Sequence, residues 1–318
     1  MSDERILAEL GPRFRVERGE RVWWAVRAEC AADLAEAGFG AGGDGELHAS
    51  ALVGRKPLFE LRTPTSAYVV RRFSHGGLWR FATGRRFKDP SRPFREVCAA
   101  MHLERHGIAT AEIAAARARR VGGPFWELDL VTRRIDDALD LGDLLGRARR
   151  LEVAPRVVSE CARTLGQLVR RLHACGFFHA DLTPNNVLVN ASVLGSARAA
   201  LTLLDLDRAR VLSNWSDADR RANLRRLYRF IERREERDGR ALRRTDYVRF
   251  FTSYTPEREA WKADWRAVAR DHARADGWHR LGWLLERAFG KRRDVRERSA
   301  QASSSSSSPK DSSSVTRG

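Results

Sequence analysis

Cysteine and long apolar runs are both scarce in this 318-residue sequence. The four cysteines, Cys30, Cys98, Cys161 and Cys175, are scattered and form no C-x-x-C pair. That spacing argues against a disulfide framework or a zinc site, and it fits a reducing cytosol. No stretch approaches the roughly 18 apolar residues that a membrane span requires. The N-terminus, "MSDERILAELG", has no apolar run either, so we expect no signal peptide.

Acidic residues are too few to balance the basic ones. Lys and Arg number 59 against 42 Asp and Glu, which gives a formal net charge of +17. Such a field attracts nucleic acid, phosphorylated lipid or an anionic membrane face. The alternative is that Arg simply replaces Lys in a GC-rich genome, because the charge is spread along the chain. Hydrophobic residues make up 42%, enough for a core in one large domain or two small ones.

The chain changes from strand-rich to helix-rich, with a hinge near residues 131–142. Apolar runs in "PLFELRTPTSAYVVRRF" predict a hairpin, and "RVWWAVRA" predicts a strand. Apolar spacing predicts helices in "RPFREVCAAMHLERHG", in "PRVVSECARTLGQLVRRLHACG" and in "DADRRANLRRLYRFIERREERDG". We expect four parts: an N-terminal extension that is partly strand (1–45), an antiparallel sheet with one helix (46–135), a helical part that carries a polar loop (136–290), and a disordered basic and Ser-rich tail (291–318).

The polar loop, "HADLTPNN", lies between apolar residues on both sides. Asp181 and Asn186 belong to it, and the later apolar run "AALTLLDLD" ends in Asp205 and Asp207. We expect the loop and an adjacent hairpin strand to bring Asp181, Asn186 and Asp205 together. Hard oxygen ligands of this kind suit Mg²⁺, which also binds substrate phosphates. Phosphoryl transfer requires such a set, with one Asp to accept the proton of the attacking hydroxyl and an Asn and a second Asp to hold the metal.

The same residues carry a family resemblance. "HADLTPNN" resembles the catalytic loop of the protein-kinase-like superfamily, H-x-D-x-x-x-x-N, and "LLDLD" resembles its metal-binding strand. Within the superfamily, the chain is similar to the bacterial lipopolysaccharide-core kinases and, among them, to the 3-deoxy-D-manno-octulosonic acid (Kdo) kinase family. The segments that carry this closer resemblance are "YVVRRFSHGGLWR", "FREVCAAMHLERHGIATAEIAAARA", "LDLVTRRIDDALDLGDLL", "LLDLDRARV" and "NWSDADRRANLRRLYRF", the last with an Asn-Leu-x-Arg-Leu step.

The resemblance implies an α+β, two-lobed protein-kinase-like fold, with a strand-rich N-lobe and a helical C-lobe. It implies Asp181 as the catalytic base, Asn186 and Asp205 as Mg²⁺ ligands, and His179 as a structural member of the loop. Asp207 stands where protein kinases have Gly, and no A-P-E segment follows. Both departures argue against a Ser/Thr protein kinase.

The resemblance also implies an ATP site. Arg71 takes the place of the third-strand Lys that contacts the nucleotide phosphates, and Glu96 is its partner on the N-lobe helix. Gly54 is what remains of the Gly-rich lid over those phosphates. Arg208, directly after the metal-binding strand, is the expected substrate contact.

The function so implied is transfer of the γ-phosphoryl group of ATP to a hydroxyl of Kdo on lipid A. We expect this at the cytoplasmic face of the inner membrane, where the basic surface would favour an anionic leaflet. Two alternatives stay open: another acceptor on the same fold, such as a core heptose, an aminoglycoside or a choline-like alcohol, or a non-catalytic basic binding module. No dedicated nucleic-acid partner is expected, and the oligomeric state stays undetermined.

An Arg-rich helix follows the metal-binding strand. Arg225, Arg226 and Arg229 lie beside its apolar stripe and could bind a carboxylate sugar or lipid A phosphates. The alternative is a solvated helix face, paired at helical spacing with neighbouring glutamates such as Glu232 and Glu235.

Overall fold

The structure, a computed structural model, describes residues 2–11, 13–50, 58–75, 84–194, 199–255, 257 and 261–270. Residues Met1–Val268 pack as one unit, and all that follows concerns that unit. The tail predicted for 291–318 and the last part of the predicted helical segment lie outside the described residues.

The N-lobe is built on one antiparallel sheet. It has seven strands in the order β1-β2-β6-β7-β5-β4-β3. The strands are β1 (Phe14–Arg18), β2 (Val22–Arg27), β3 (His48–Ala49), β4 (Leu58–Arg62), β5 (Ala67–Arg72), β6 (Ile113–Gly122) and β7 (Phe125–Arg133). The predicted hairpin is confirmed as β4 and β5, whose alternating burial places Tyr68 and Val70 in the core.

The predicted boundary at residue 45 does not divide the sheet. Two strands of the presumed extension form one edge of it, because β1 pairs with β2 and β2 pairs with β6. Trp23, on β2, buries its ring against Phe94 and Trp126, with centroid distances of 5.8 and 6.5 Å. The apolar side chains of this segment therefore complete the N-lobe core, together with the short helices α1 (Asp3–Leu10) and α2 (Ala31–Glu36).

Helix α3 (Arg92–Arg105) packs on the sheet. Its apolar positions Phe94, Val97 and Met101 are buried, as their helical spacing predicts. The helix ends at Arg105, and the chain turns away at Gly107, whose φ of +63° is a left-handed conformation that glycine adopts without strain. This helix carries Glu96, which pairs with Arg71 of β5.

The C-lobe is mainly helical. Its helices are α4 (Leu141–Arg149), α5 (Pro155–Ala174), α6 (Asp217–Asp238) and α7 (Arg244–Tyr254), and residues 261–270 are also helical. Helix α5 was predicted from its apolar stripe, and Cys161, Leu165, Leu168 and Leu172 are buried as expected. Helix α6 begins with a capping box between Ser216 and Asp219.

Short strands hold the loop between these helices. Strands β8 (Ala138–Asp140), β10 (Val187–Asn190) and β11 (Leu201–Leu203) form a three-stranded sheet, and β9 (Phe177–Phe178) pairs with β12 (Arg210–Val211). The strand predicted from "AALTLLDLDRARV" is thus shorter than expected. It stops at Leu203 because the chain turns at Asp205, whose φ is +53°. Among the described residues, no helix is long and apolar enough to cross a bilayer.

Candidate active site

His179 anchors the polar loop from within. It is fully buried, and its Nδ1 accepts a hydrogen bond from the backbone N–H of Asp181 at 3.2 Å. Because Nδ1 accepts, Nε2 carries the proton and donates to the carbonyl of Leu204 at 3.1 Å. Burial lowers the pKa of His179, which favours this neutral form. The ring therefore ties the loop to the segment that carries Asp205, as a structural residue would.

Asn223 of α6 holds the same loop from outside. Its Oδ1 accepts from the backbone N–H of His179 at 3.3 Å, and its Nδ2 donates to the carbonyl of His179 at 2.9 Å. The side chain is buried, so both backbone groups are satisfied where water has no access. Sequence reasoning assigned Asn223 no role, although it is the Asn of the quoted Asn-Leu-x-Arg-Leu step.

Asn186 lies where the loop turns into β10. Its Nδ2 donates to the carbonyl of Asp181 at 2.8 Å, which leaves its Oδ1 as a lone-pair donor. The backbone carbonyl of Asn186 accepts from the N–H of Leu204 at 2.9 Å, and Val187 is paired with Leu203. This register sets Asp205 beside the loop. The structure thus brings Asp181, Asn186 and Asp205 onto adjoining segments, as predicted.

The donor set fits a hard divalent cation. Asn186 offers an amide oxygen and Asp205 a carboxylate that is 41% exposed, so both can meet a solvated ion. Mg²⁺ prefers one or two protein oxygens together with waters and phosphates. Asp205 has a left-handed backbone conformation, so a turn and not a strand sets the direction of its side chain.

Arg71 of β5 lies between the two lobes. Its Nη1 donates to Oδ1 of Asp205 at 2.6 Å, and its Nη2 donates to Glu96 of α3. The predicted partnership of Arg71 and Glu96 is therefore present as an ion pair. The guanidinium also lies 4.7 Å from the ring centroid of Phe73. These contacts fix the guanidinium in one place.

Burial and the neighbouring charges shift the pKa of each member of this pair in opposite directions. Glu96 is only 4% exposed, and burial raises the pKa of its carboxyl even though Arg71 opposes the shift. Burial opposes the charge of Arg71, yet Glu96 and Asp205 together raise the pKa of the guanidinium. The raised pKa keeps Arg71 a cation, which is what an anion-binding residue needs.

Asp207 has its own arginine, which the sequence did not indicate. Arg92, at the start of α3, donates Nε to Oδ1 at 2.9 Å and Nη2 to the other oxygen. Burial opposes ionisation of Asp207, but the hydrogen bond and charge of Arg92 hold its pKa below the usual range. Asp207 therefore joins the lobes rather than facing solvent.

Arg208, the predicted substrate contact, is exposed with a φ of +62°.

Arg226 of α6 binds the polar loop, whereas the sequence indicated either a substrate contact or a solvated helix face. Its Nε and Nη2 both donate to Oδ1 of Asp181, at 2.8 and 2.6 Å. Neither a solvated helix face nor a pure substrate contact describes it. It is the Arg of the Asn-Leu-x-Arg-Leu step, so α6 supplies both Asn223 and Arg226 to the loop. Its neighbour Arg225 is exposed.

Gly54 and Glu235 were also given roles in the sequence analysis. Gly54 lies outside the described residues. Glu235 does not pair with α6 arginines in the described contacts: its Oε1 accepts from the backbone N–H groups of Ala241 and Leu242, and its Oε2 from the hydroxyl of Tyr247. It therefore caps the turn between α6 and α7.

Known proteins resemble this chain over the same region. Residues 74–269 match the model of the lipopolysaccharide kinase (Kdo/WaaP) family. The 3-deoxy-D-manno-octulosonic acid kinase of Haemophilus influenzae strain PittEE is 29% identical over 170 residues, which cover 52% of this chain and 66% of that protein, just under two thirds. The protein of that name from Actinobacillus succinogenes is 26% identical over 190 residues, covering 58% of this chain and 74% of the other.

One solved structure is similar in fold. It is described as WaaP in complex with acyl carrier protein, and it aligns with a TM-score of 0.52 at 18% identity. The alignment covers 78% of this chain and 92% of that one. With the architecture described above, this likeness confirms the predicted α+β, two-lobed protein-kinase-like fold.

Proposed function

The chain belongs to the lipopolysaccharide kinase (Kdo/WaaP) family, and from this premise we propose that it transfers the γ-phosphoryl group of ATP to a hydroxyl of the Kdo sugar of Kdo–lipid A. The observation that carries the proposal is that Asp181, Asn186 and Asp205 lie on adjoining segments, with Arg71 paired to both Asp205 and Glu96. A decayed binding module would have no need to keep this set.

Asp181 is the proposed base. The acceptor hydroxyl would give its proton to the Asp181 carboxylate while its oxygen forms a bond to the γ-phosphorus, and the bond from that phosphorus to the β,γ-bridging oxygen breaks to release ADP. The Asp181 side chain is 18% exposed, so a hydroxyl can reach it from the cleft. Arg226 would keep the carboxylate in one orientation, since both of its donors meet one oxygen.

Asn186 and Asp205 are the residues that would hold Mg²⁺. When bound, the ion supplies positive charge to the phosphate oxygens. Arg71 would contact the nucleotide phosphates, because its guanidinium is charged, fixed and 23% exposed at the side of Asp205. Arg208 is the proposed contact to the acceptor, since it is exposed directly after the acidic turn.

The basic surface supports an acceptor in an anionic layer. We place the protein at the cytoplasmic face of the inner membrane as a peripheral protein, where each cation near an anionic surface contributes roughly 1 kcal/mol. The formal charge of +17 supplies many such cations. A lipid-embedded sugar acceptor and a surface-bound enzyme are compatible, because the sugar extends beyond the lipid plane.

ADP release with ATP and Mg²⁺ tests the proposal, with and without Kdo₂–lipid A. We expect acceptor-dependent release that Asp181→Asn abolishes, while Asp143→Asn, an exposed residue of α4, leaves it unchanged. Release with a core heptose, an aminoglycoside or choline, and none with Kdo₂–lipid A, would reject the acceptor and retain the phosphotransferase. No release with any acceptor, or full release by Asp181→Asn, would reject the mechanism.

A further inference from the structure

A cluster of two histidines and a cysteine lies outside the candidate active site. His102 and His106 occupy successive turns at the end of α3, and Cys175 follows α5. One ring nitrogen of each histidine and the Cys175 sulfur all lie within 4.8 Å of one another. The cluster could not be predicted from spacing, because His102 and Cys175 are 73 residues apart in the sequence.

Backbone carbonyls fix both imidazole rings. His102 Nε2 lies 3.0 Å from the carbonyl of Cys175, and His106 Nδ1 lies 2.8 Å from the carbonyl of His102. A carbonyl can only accept, so each of these nitrogens carries the ring proton. In the neutral ring, the remaining nitrogen of each histidine then has an available lone pair. Metal-bound histidines are usually held in this way, with the second ring N–H donated to a carbonyl or carboxylate.

The spacing suits a small, borderline-soft ion. A tetrahedral zinc site has Zn–N of about 2.0–2.1 Å and Zn–S of about 2.3 Å, so its ligand atoms are roughly 3.3–3.8 Å apart. The three ligand atoms lie within 4.8 Å of one another, so no pair of them would have to approach by more than about 1.5 Å. His106 is exposed and can make this movement, and it also leaves a path for the ion.

We propose that His102, His106 and Cys175 bind one zinc ion or a similar borderline-soft divalent ion, with water in the fourth position. The thiol of Cys175 loses its proton to solvent when the sulfur binds the ion. Imidazole and thiolate ligands select zinc over Mg²⁺, which prefers oxygen. The site is therefore chemically separate from the one proposed at Asn186 and Asp205.

The surroundings show what the ion would join. The His102 ring stacks on Phe177, with centroids 6.1 Å apart, and Phe177 is two residues before His179. Helix α3 carries Glu96, so the ion would tie the helix of the N-lobe to the strand that leads into the polar loop. The nearby cations are already engaged: Arg171 donates to the carbonyls of His106 and Gly107, and Arg105 pairs with Glu9 at 2.6 Å.

Zinc titration of the untagged, full-length protein, first stripped with a chelator, tests this inference. We expect one zinc per chain by elemental analysis after gel filtration, and a melting temperature that rises by a few degrees. Cys175→Ser should abolish the binding, and His106→Ala should weaken it by more than the roughly 10- to 100-fold that loss of an outer-shell partner causes. With Co²⁺ as the probe, a thiolate-to-metal absorption band should appear and should vanish in Cys175→Ser.

Two controls make the outcome decisive. His48→Ala removes an exposed histidine of β3 and should leave zinc binding unchanged, and Asp205→Ala should do the same. Stoichiometric binding that survives both His106→Ala and Cys175→Ser would overturn the proposal, and so would loss of binding in Asp205→Ala alone. Because His106 is exposed, the His106→Ala variant is expected to fold, and a loss of zinc binding in it can be assigned to the missing ligand. Absence of zinc binding by the folded parent protein would also overturn the proposal.

Discussion

Replacing Arg226 by Gln should slow phosphoryl transfer without weakening ATP binding. The guanidinium donates twice to one oxygen of Asp181, at 2.8 and 2.6 Å, and among the described residues it has no hydrogen bond or ion pair with Arg71, Asn186 or Asp205. Two charges about 4 Å apart attract each other by about 4 kcal/mol at the effective dielectric constant of a protein surface, near 20. The Arg226 side chain is 37% exposed, so solvent screening reduces this attraction to roughly 1–2 kcal/mol.

Because the proposed role of Arg226 is to hold the Asp181 carboxylate in the orientation that accepts the proton, loss of that energy corresponds to a loss of about 5- to 30-fold in rate, since 1.36 kcal/mol is tenfold. We expect kcat for acceptor-dependent ADP release to fall by this factor while KM for ATP stays within about twofold. Arg226→Lys should recover part of the loss, because it restores the charge and not the paired donors. Guanidinium added to Arg226→Ala should restore activity, whereas it should do nothing for Asp181→Asn.

Arg225→Gln is the matched control, one position away on the same helix and exposed. It removes the same charge from the same surface and should leave kcat unchanged. If Arg226→Gln and Arg225→Gln behave alike, the Asp181 contact has no catalytic importance. A selective rise in KM for ATP in Arg226→Gln would equally refute the reasoning, since it would place Arg226 at the nucleotide.

Three other predictions follow from buried groups. Arg71→Met should lower kcat/KM for ATP at least about a hundredfold, and Arg71→Lys about tenfold, because Lys keeps the charge and loses the fork that reaches both Glu96 and Asp205. Burial lowers the pKa of His173 from 6.5 to about 4, so the unfolded chain binds the extra proton first as the pH falls. His173 should therefore contribute a loss of about 3 kcal/mol to the free energy of unfolding between pH 6.5 and 4, seen in urea titrations as the difference between the parent protein and His173→Gln. Gly166→Ala should cost about 1–3 kcal/mol of unfolding free energy, because a methyl group there would meet a backbone carbonyl of α7.

Each of these has a control within the chain. Arg72→Lys alters the neighbouring residue of β5, which pairs with Asp44, and should leave kcat/KM for ATP unchanged. His48→Gln changes an exposed histidine and should keep the acid limb. Gly146→Ala places its methyl group no nearer than 3.7 Å to another atom and should be tolerated. Equal effects of a variant and its control would contradict the prediction concerned.

The local elements of this fold could be predicted because their signals are local. The stripe of α5 and the alternation in β4 and β5 are read directly from spacings of three to four residues and of two. The polar loop was found because its residues are close in sequence. Because His179, Asp181 and Asn186 are close in sequence, the hydrogen bonds of their side chains can form within the loop itself, as those of His179 with Asp181 and of Asn186 with Asp181 do.

The residues that hold the loop could not be predicted in the same way. Arg226 and Asn223 approach it from 45 and 44 residues away, and nothing in a single sequence gives the rotation of α6 about its axis. The one available signal was the quoted Asn-Leu-x-Arg-Leu step, whose spacing places its Asn and Arg on one helix face. Strand β2 was likewise found as a strand, but its pairing with β6 depends on contacts across the chain, and β1 was not predicted.

Arginine supplies the cation at every acid of the candidate site. The pairs are Asp181 with Arg226, Asp205 with Arg71, and Asp207 with Arg92. A guanidinium presents its donors in a planar fork, so it can serve two anions at once without changing its charge. Arg71 already divides its terminal nitrogens between Glu96 and Asp205, and a phosphate oxygen that takes the Nη1 donor would leave the Glu96 pair in place. One anionic oxygen then replaces another, which avoids the desolvation that a newly buried charge would require. At this site, arginines hold the carboxylates in fixed positions before the nucleotide binds, which is one use of the excess of arginine over acid in the composition.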